Sequence, residues 1–260
     1  MENNTNNTQF KAQPNKNTVY RSRNIKKKKI NGGFDFLSDK RFLWNSLNTF
    51  ISAFLGGIAF AIGTTVFLTV NNKNVGSALF SLGMIIILAY GFGFYTSKIG
   101  YSLKNTKEQN ILLIPIWIGN LLGALFVSGL LGISETKLID TFASRANQIC
   151  SVTLSNSLGG VLVLSIFCGL LMFIATDNYK NAKNAAQKYI TLILASMVFL
   201  LCGFEHFTSS AFLFSMADSF NIKAFWYLII MTLGNTIGAL IIPISHAGVK
   251  MIQAQQKKSK

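Results

Sequence analysis

GFGFYTS at 91–97 and GFEHFTS at 203–209 are near copies of one another, each set inside an apolar run. A second matched pair follows them, GNLLGAL at 119–125 and GNTIGAL at 234–240. The two offsets, 112 and 115 residues, divide the chain into two related halves. Each copied heptapeptide puts Gly and Thr-Ser where a membrane helix should be a plain apolar rod. Gly-interrupted segments at corresponding places in two halves are the best sequence pointer to a transport site.

The composition agrees. Half of the 260 residues are hydrophobic, 22 are Phe and only 13% are charged, about half the charge of an ordinary soluble domain. Six apolar stretches are long enough, at roughly 20 residues, to cross a bilayer. They run over 47–70, 75–95, 111–132, 158–176, 189–216 and 224–245, with the second and fifth interrupted by the copied heptapeptides. No signal peptide is expected ahead of them, because the first apolar run starts near residue 47.

Basic residues set the orientation. Twenty of the 24 Lys and Arg fall in the two tails and the second and fourth loops, against four in the remaining loops. Both termini are therefore expected in the cytoplasm, and the net charge of +15 calls for no nucleic acid. With three spans per half, the second half runs opposite to the first, so that the broken segments approach one another from opposite faces. The expected fold is an all-α membrane protein of six transmembrane helices in two inverted three-helix repeats, helices 2 and 5 broken.

The expected organisation is a disordered basic tail over 1–33, an interfacial helix over 34–46, a transmembrane domain over 47–246 and a basic tail over 247–260. The repeats occupy about 47–132 and 158–246. Phe34, Phe36, Leu37, Phe42, Leu43 and Trp44 carry the interfacial reading. Lys26–Lys29 reads as topology control rather than lipid binding. The stretch 133–157 reads as the longest loop, facing outward. Cys150, Cys168 and Cys202 show no metal spacing and no disulfide framework. Neither a metal nor a cofactor is expected.

Of nine acids, only Glu205 lies in a span, and it adjoins His206 in the break of the fifth. An ionisable group at that depth costs several kcal/mol and normally faces a cavity or a partner. Adjacent residues on a helix point about 100° apart, so the two cannot both face one narrow pore. His206 is the better pore residue, since it changes charge near neutral pH. Glu205 then turns away, toward backbone donors or an adjoining subunit. Phe199, seven residues earlier, would sit two turns up the same helix face as an apolar gate. In the first break Thr96 and Ser97 offer hydroxyls, with Thr96 placed to meet His206 or a substrate. The N–H groups at the starts of the half-helices would add positive potential. Gly119/Gly123 and Gly234/Gly238 have GxxxG spacing for close helix approach. Asn120 and Asn235 beside them are placed to satisfy backbone groups released at Gly91 and Gly203. With Glu205 as the sole carboxylate, an anion or a neutral polar molecule fits better than a metal cation. A membrane enzyme is disfavoured, because the other histidine, His246, lies at the far end of the sixth span.

These residues resemble the formate/nitrite transporter family over about 47–246. The likeness rests on GGIAFAIG at 56–63, the GFGFYTS break, the duplicated GN-x-x-G and CGFEH at 202–206. It implies an aquaporin-like protomer in the plasma membrane, assembled as a homopentamer with one pore per protomer. It also implies passage of small weak-acid anions such as formate, nitrite, lactate or hydrosulfide together with protons. By that likeness His206 is the central histidine and Thr96 its partner. Phe80 and Phe199 fall at an outer constriction, and Phe94, Tyr95 and Met172 near an inner one. The chain departs from the family in three places: Phe94-Tyr95-Thr96 replaces Leu-Phe-Thr, Gly169 stands where an Asn is common, and Thr153 stands for a basic residue, with Arg145 too far upstream to replace it. Two other readings stay open, a pH-gated anion channel that moves no proton and a pore for small neutral solutes.

Overall fold

The computed structural model describes residues 39–134 and 136–258. Among them the chain forms ten helices: α1 (Lys40–Thr69), α2 (Lys73–Tyr90), α3 (Tyr95–Ile99), α4 (Lys107–Ile111), α5 (Leu113–Ile133), α6 (Lys137–Ser155), α7 (Leu158–Asn181), α8 (Ala185–Leu201), α9 (Phe207–Met216) and α10 (Ile222–Lys258). Short polar side chains start several of them. Asp39 accepts from Arg41 N–H at α1, Asn72 from Asn74 and Val75 at α2, and Ser157 from Gly160 at α7. Each bond satisfies a donor that the first helical turn leaves free.

Five helices, α1, α2, α4–α5 taken together, α7 and α10, are long and apolar enough to cross a membrane. The stretch read as a fifth span is two shorter apolar helices, α8 and α9, separated by the second copied heptapeptide. Large apolar side chains cover the outside as well as fill the core, and several polar ones are buried. Ile118, Phe126, Val163 and Ile237 stand exposed, while Thr64, Asn120, Ser165 and Asn235 are buried. That suits a protein whose surroundings are hydrocarbon.

Small residues bring the long helices together in two matching pairs. A Cβ on Gly57 or Gly123 of α1 and α5 would overlap the Asn120 or Phe54 carbonyl, respectively. In the other half Gly169 and Gly238 stand in the same relation to Asn235 and Ile166 on α10 and α7. Backbones that close are possible only without a side chain between them. Gly169, where the family likeness puts an Asn, is thus a packing position in this chain.

Two sequence expectations need correction. The stretch 133–157 is not a loop, because Lys137–Ser155 is helical, with Phe142, Ala146, Cys150 and Thr153 buried along one face. Their spacing of four, four and three is a helical stripe. The interfacial helix expected over 34–46 is, over its described part, the opening turns of α1, since neither Gly nor Pro interrupts 40–55. Residues 34–38 and the tail at 1–33 lie outside the described residues. The C-terminal tail continues α10 as far as Lys258.

Candidate functional site

The two breaks are built alike. A glycine with left-handed backbone follows each of α2 and α8, Gly91 at φ 70° directly after α2 and Gly203 at φ 65° one residue beyond Cys202, which caps α8. A Cβ at either would meet nothing within 4 Å, so the dihedral, not space, calls for glycine. Phe92 N–H reaches back to the Ile87 carbonyl (2.9 Å) and Phe204 N–H to that of Phe199 (3.0 Å), the six-to-one bond of a glycine-terminated helix. The chain then runs extended to Phe94 and to His206, the N-cap residues of α3 and α9.

One asparagine ties each break to its half. Asn120 Nδ2 donates to the Ala53 and Gly93 carbonyls at 2.8 Å each, and its Oδ1 accepts from Tyr95 N–H at 2.9 Å. Asn235 Nδ2 donates to Ser165 and Glu205 carbonyls at 2.9 Å each, and its Oδ1 accepts from Phe207 N–H at 3.2 Å. Both side chains are fully buried. In a dry interior an interrupted helix needs such partners, because an unpaired backbone group costs several kcal/mol.

His206 is 1% exposed and joins the two breaks. Its Nδ1 accepts from Thr208 N–H at 3.2 Å, and its Nε2 lies 3.3 Å from Thr96 Oγ1. A ring nitrogen that accepts a backbone N–H carries no hydrogen, which assigns the hydrogen of the neutral ring to Nε2. Thr96 Oγ1 then accepts, and its own hydroxyl hydrogen remains to donate. Aromatic rings enclose the imidazole. Phe94 is parallel to it at 5.4 Å and 3°, Phe207 stacks at 5.1 Å, Phe60 lies at 4.6 Å and Phe199 stands edge-on at 6.3 Å. Ser97 Oγ and Thr208 Oγ1 are buried with no hydrogen-bond partner.

Phe80 packs against Phe199 at 5.5 Å and against Phe60 at 5.0 Å, and Met172 and Met84 are fully buried in the same cluster as Phe94. Phe199 does not share a helix with His206. α8 ends at Leu201, so the seven-residue spacing is not two turns of one face, and the two rings meet across the break instead. Tyr95 turns toward α10, with its hydroxyl 3.0 Å from Thr236 Oγ1 and its ring edge-on to Phe207. The first-turn N–H groups of Phe207 and Thr208 are already bonded, to Asn235 and to the His206 ring.

A cavity of about 670 Å³ reaches His206 and Phe199 and stops short of Phe94 and Thr96. Glu205 lines it as well. Its Oε1 accepts from Thr153 at 2.6 Å and its Oε2 from Ser210 at 3.2 Å, so two hydroxyls hold it rather than a cation. The backbone at His206 is extended and not helical, and both residues line this one cavity, so the expected exclusion of Glu205 from the space beside His206 does not hold there. Sequence reading set Arg145 aside as too far upstream to serve. It lines the same cavity and donates through Nη1 to the Leu68 (2.6 Å) and Val70 (3.1 Å) carbonyls and through Nη2 to Asn71 Oδ1. The buried stripe of α6 was the signal that would have placed it.

Beyond α3, Tyr101 donates to Asp177 at 2.7 Å, and Lys180 lies 4.1 Å over the Tyr101 ring. Burial, and then the Asp177 carboxylate, push the Tyr101 phenol well above its usual range. The described residues hold no cluster of three or more His, Cys, Asp or Glu that suits a metal ion. The three cysteines are free.

The sequence profile described as Formate/nitrite transporter matches residues 37–246. The uncharacterized transporter YrhG of Bacillus subtilis is 28% identical over 216 residues, spanning 74% of this chain and 80% of its own. The formate channel FocA of Haemophilus influenzae is 23% identical, over 65% of this chain and 71% of FocA. The nitrite transporter NirC of Escherichia coli is 22% identical, over 78% of this chain and 83% of NirC. Among solved structures, a pentameric formate channel with formate bound superposes with a TM-score of 0.65 at 21% identity, covering 80% of this chain and 98% of that one.

Proposed function

The chain belongs to the formate/nitrite transporter family and is an integral membrane protein, and on that premise we propose that it conducts small monovalent weak-acid anions past His206, which links their passage to protonation. Formate, nitrite, lactate and hydrosulfide are the substrate class, and the relatives named for formate and nitrite support it. In this reading the protein sits in the plasma membrane as a homopentamer with one pore per protomer. Six spans form two halves of opposite sense, and both termini are cytoplasmic. The cavity beside Arg145 is then the outer vestibule.

The observation that carries the proposal is the contact of Thr96 with His206 inside a shell of phenylalanines at the end of an open cavity. Moving a bare carboxylate through apolar rings costs roughly tens of kcal/mol, and the neutral acid escapes most of that. For His206 itself to be the proton donor the ring must be an imidazolium, and an imidazolium needs a hydrogen on Nδ1. That hydrogen evicts Thr208 N–H from its cap, at a cost of about 1 kcal/mol. The neutral ring instead spends its Nε2 hydrogen on Thr96, and the free hydroxyl hydrogen of Thr96 is what the pair offers the anion.

The cap bond also favours a second reading, a pH-gated anion channel. If protonation opens the start of α9, pH sets the conductance and no proton travels with substrate. Proteoliposome flux with simultaneous internal pH recording separates the two, since co-transport acidifies or alkalinises the lumen in step with substrate and a channel does not. His206→Asn should abolish the pH dependence of flux. Retention of the wild-type profile in that variant would end both readings of the ring. A pore for neutral solutes would instead appear as vesicle swelling without anion flux.

A further inference from the structure

We propose that Ser209, steadied by Thr64, sets the solute preference of the conduit by accepting the hydroxyl hydrogen of a small 2-hydroxy carboxylate. Solutes of the glycolate and lactate kind are then taken in preference to the unsubstituted carboxylate of the same skeleton. This deepens the reading above and rests on it.

Every hydroxyl hydrogen at the buried end of the cavity is already spent. Five hydroxyl residues line it, Thr64, Ser77, Thr153, Ser209 and Ser210, and none is more than 4% exposed. Thr64 donates to the Phe60 carbonyl at 3.1 Å and Ser77 to that of Lys73 at 2.6 Å. Thr153 and Ser210 donate to the two oxygens of Glu205. Ser209 Oγ lies 3.3 Å from Thr64 Oγ1. Because the Thr64 hydrogen is committed to a carbonyl, Ser209 is the donor of that pair. His206 adds no hydrogen either, since Nδ1 accepts from Thr208 N–H and the Nε2 hydrogen goes to Thr96.

A hydroxyl that has donated keeps its lone pairs. The side chains of the buried end therefore accept hydrogens and give none, whereas lining residues that carry donors, such as Asn71 and Gln148, are exposed. Formate and nitrite ions bring no hydrogen to such a wall, and a simple carboxylic acid brings one only when protonated. A 2-hydroxy carboxylate brings one in either state. Ser209 is the acceptor it meets beside His206, on the opening turn of the helix that His206 caps. The bond to Thr64 on α1 fixes that hydroxyl with its lone pairs free and its hydrogen turned away. A polar group so placed discriminates against the analogue that lacks the hydroxyl, because it is then left unpaired.

The test is influx into proteoliposomes at neutral pH of two matched pairs, glycolate with acetate and lactate with propionate. Formate serves as reference, and flux into protein-free liposomes is subtracted. Wild type, Ser209→Ala, Thr64→Ser and Thr64→Val are compared by the ratio of kcat/KM for the hydroxylated and plain members. That ratio is internal to each variant, so a general loss of rate cancels. Wild type should favour the hydroxylated member about three- to tenfold, the weight of one hydrogen bond. Ser209→Ala should bring the ratio to about one. Thr64→Ser keeps the hydroxyl that takes the Ser209 hydrogen and should keep the ratio. Thr64→Val frees that hydrogen for carboxylate oxygens and should lower the ratio about twofold or more. Should Ser209→Ala fail to fold by gel filtration, Thr64→Val decides. A wild type that moves formate with a ratio near one, or a ratio that the folded variants leave unchanged, overturns the role of Ser209 alone. A wild type that moves neither formate nor any of the four overturns the underlying reading instead.

Discussion

The break at 91–94 and the break at 203–206 share a backbone and differ in chemistry. Both leave a helix through a left-handed glycine, run extended, are bound by one buried asparagine and cap a new helix. Yet where the first has Gly93 and Phe94, the second has Glu205 and His206. Phe94 and His206 occupy equivalent N-cap positions and lie face to face, 5.4 Å apart and 3° from parallel. One half contributes an apolar plate and the other a hydrogen-bonding ring. The backbone scaffold is shared, and two side-chain differences set the second break apart from the first.

The sharpest way to break the comparison is to make the halves alike. His206→Phe copies the first break into the second and should cut anion flux by about a hundredfold or more, the usual weight of a positioned proton donor or acceptor. Stopped-flow uptake into proteoliposomes measures it. Asn120→Ala and Asn235→Ala test whether the scaffolds are equivalent. Each removes three bonds to buried backbone groups, and each should cost about 3 kcal/mol or more. Thermal unfolding in detergent should show similar losses for the two, and a large disparity would mean that one break is held by something else.

Thr153→Val probes what only the second break possesses. It leaves Glu205 Oε1 without its 2.6 Å donor and should destabilise by about 1–3 kcal/mol. Thr106→Val, which removes the hydroxyl that accepts from Gln109 N–H at the start of α4, outside both breaks, serves as its control. Smallest is the pair Gly91→Ala and Gly203→Ala, where only backbone strain is at stake because a Cβ has room. About 1 kcal/mol each is expected, read as equal shifts in Tm.

Much of this arrangement was legible beforehand, because it rests on local chemistry. A glycine in an apolar run, followed by hydroxyl residues, marks a break whatever surrounds it. The likeness of 119–125 to 234–240 pointed to two equivalent asparagines. The α6 segment was not legible in the same way. Its polar surface and modest apolar content read as a loop, and only its buried spacing, Phe142, Ala146, Cys150 and Thr153, identifies a helix lying against α9 and α1. Phe199 misled for the opposite reason. Helical periodicity was carried across Cys202 and Gly203, where the helix has already ended. Gly169 looked like a lost functional residue until its contact with the Asn235 carbonyl made it a packing position.

By itself the amino-acid order determined that the chain is apolar, duplicated, interrupted at two matched glycines and furnished with one deep histidine. Those are properties of composition and short-range backbone preference, which need no partner. Which groups meet was decided by the tertiary structure alone: Thr96 with His206 across 110 residues, Arg145 with the end of α1 across 75 to 77, and Thr153 with Glu205 across 52. Hydrogen bonds and ring stacking act over a few ångströms, so they depend on how whole helices pack, and no local pattern encodes that distance.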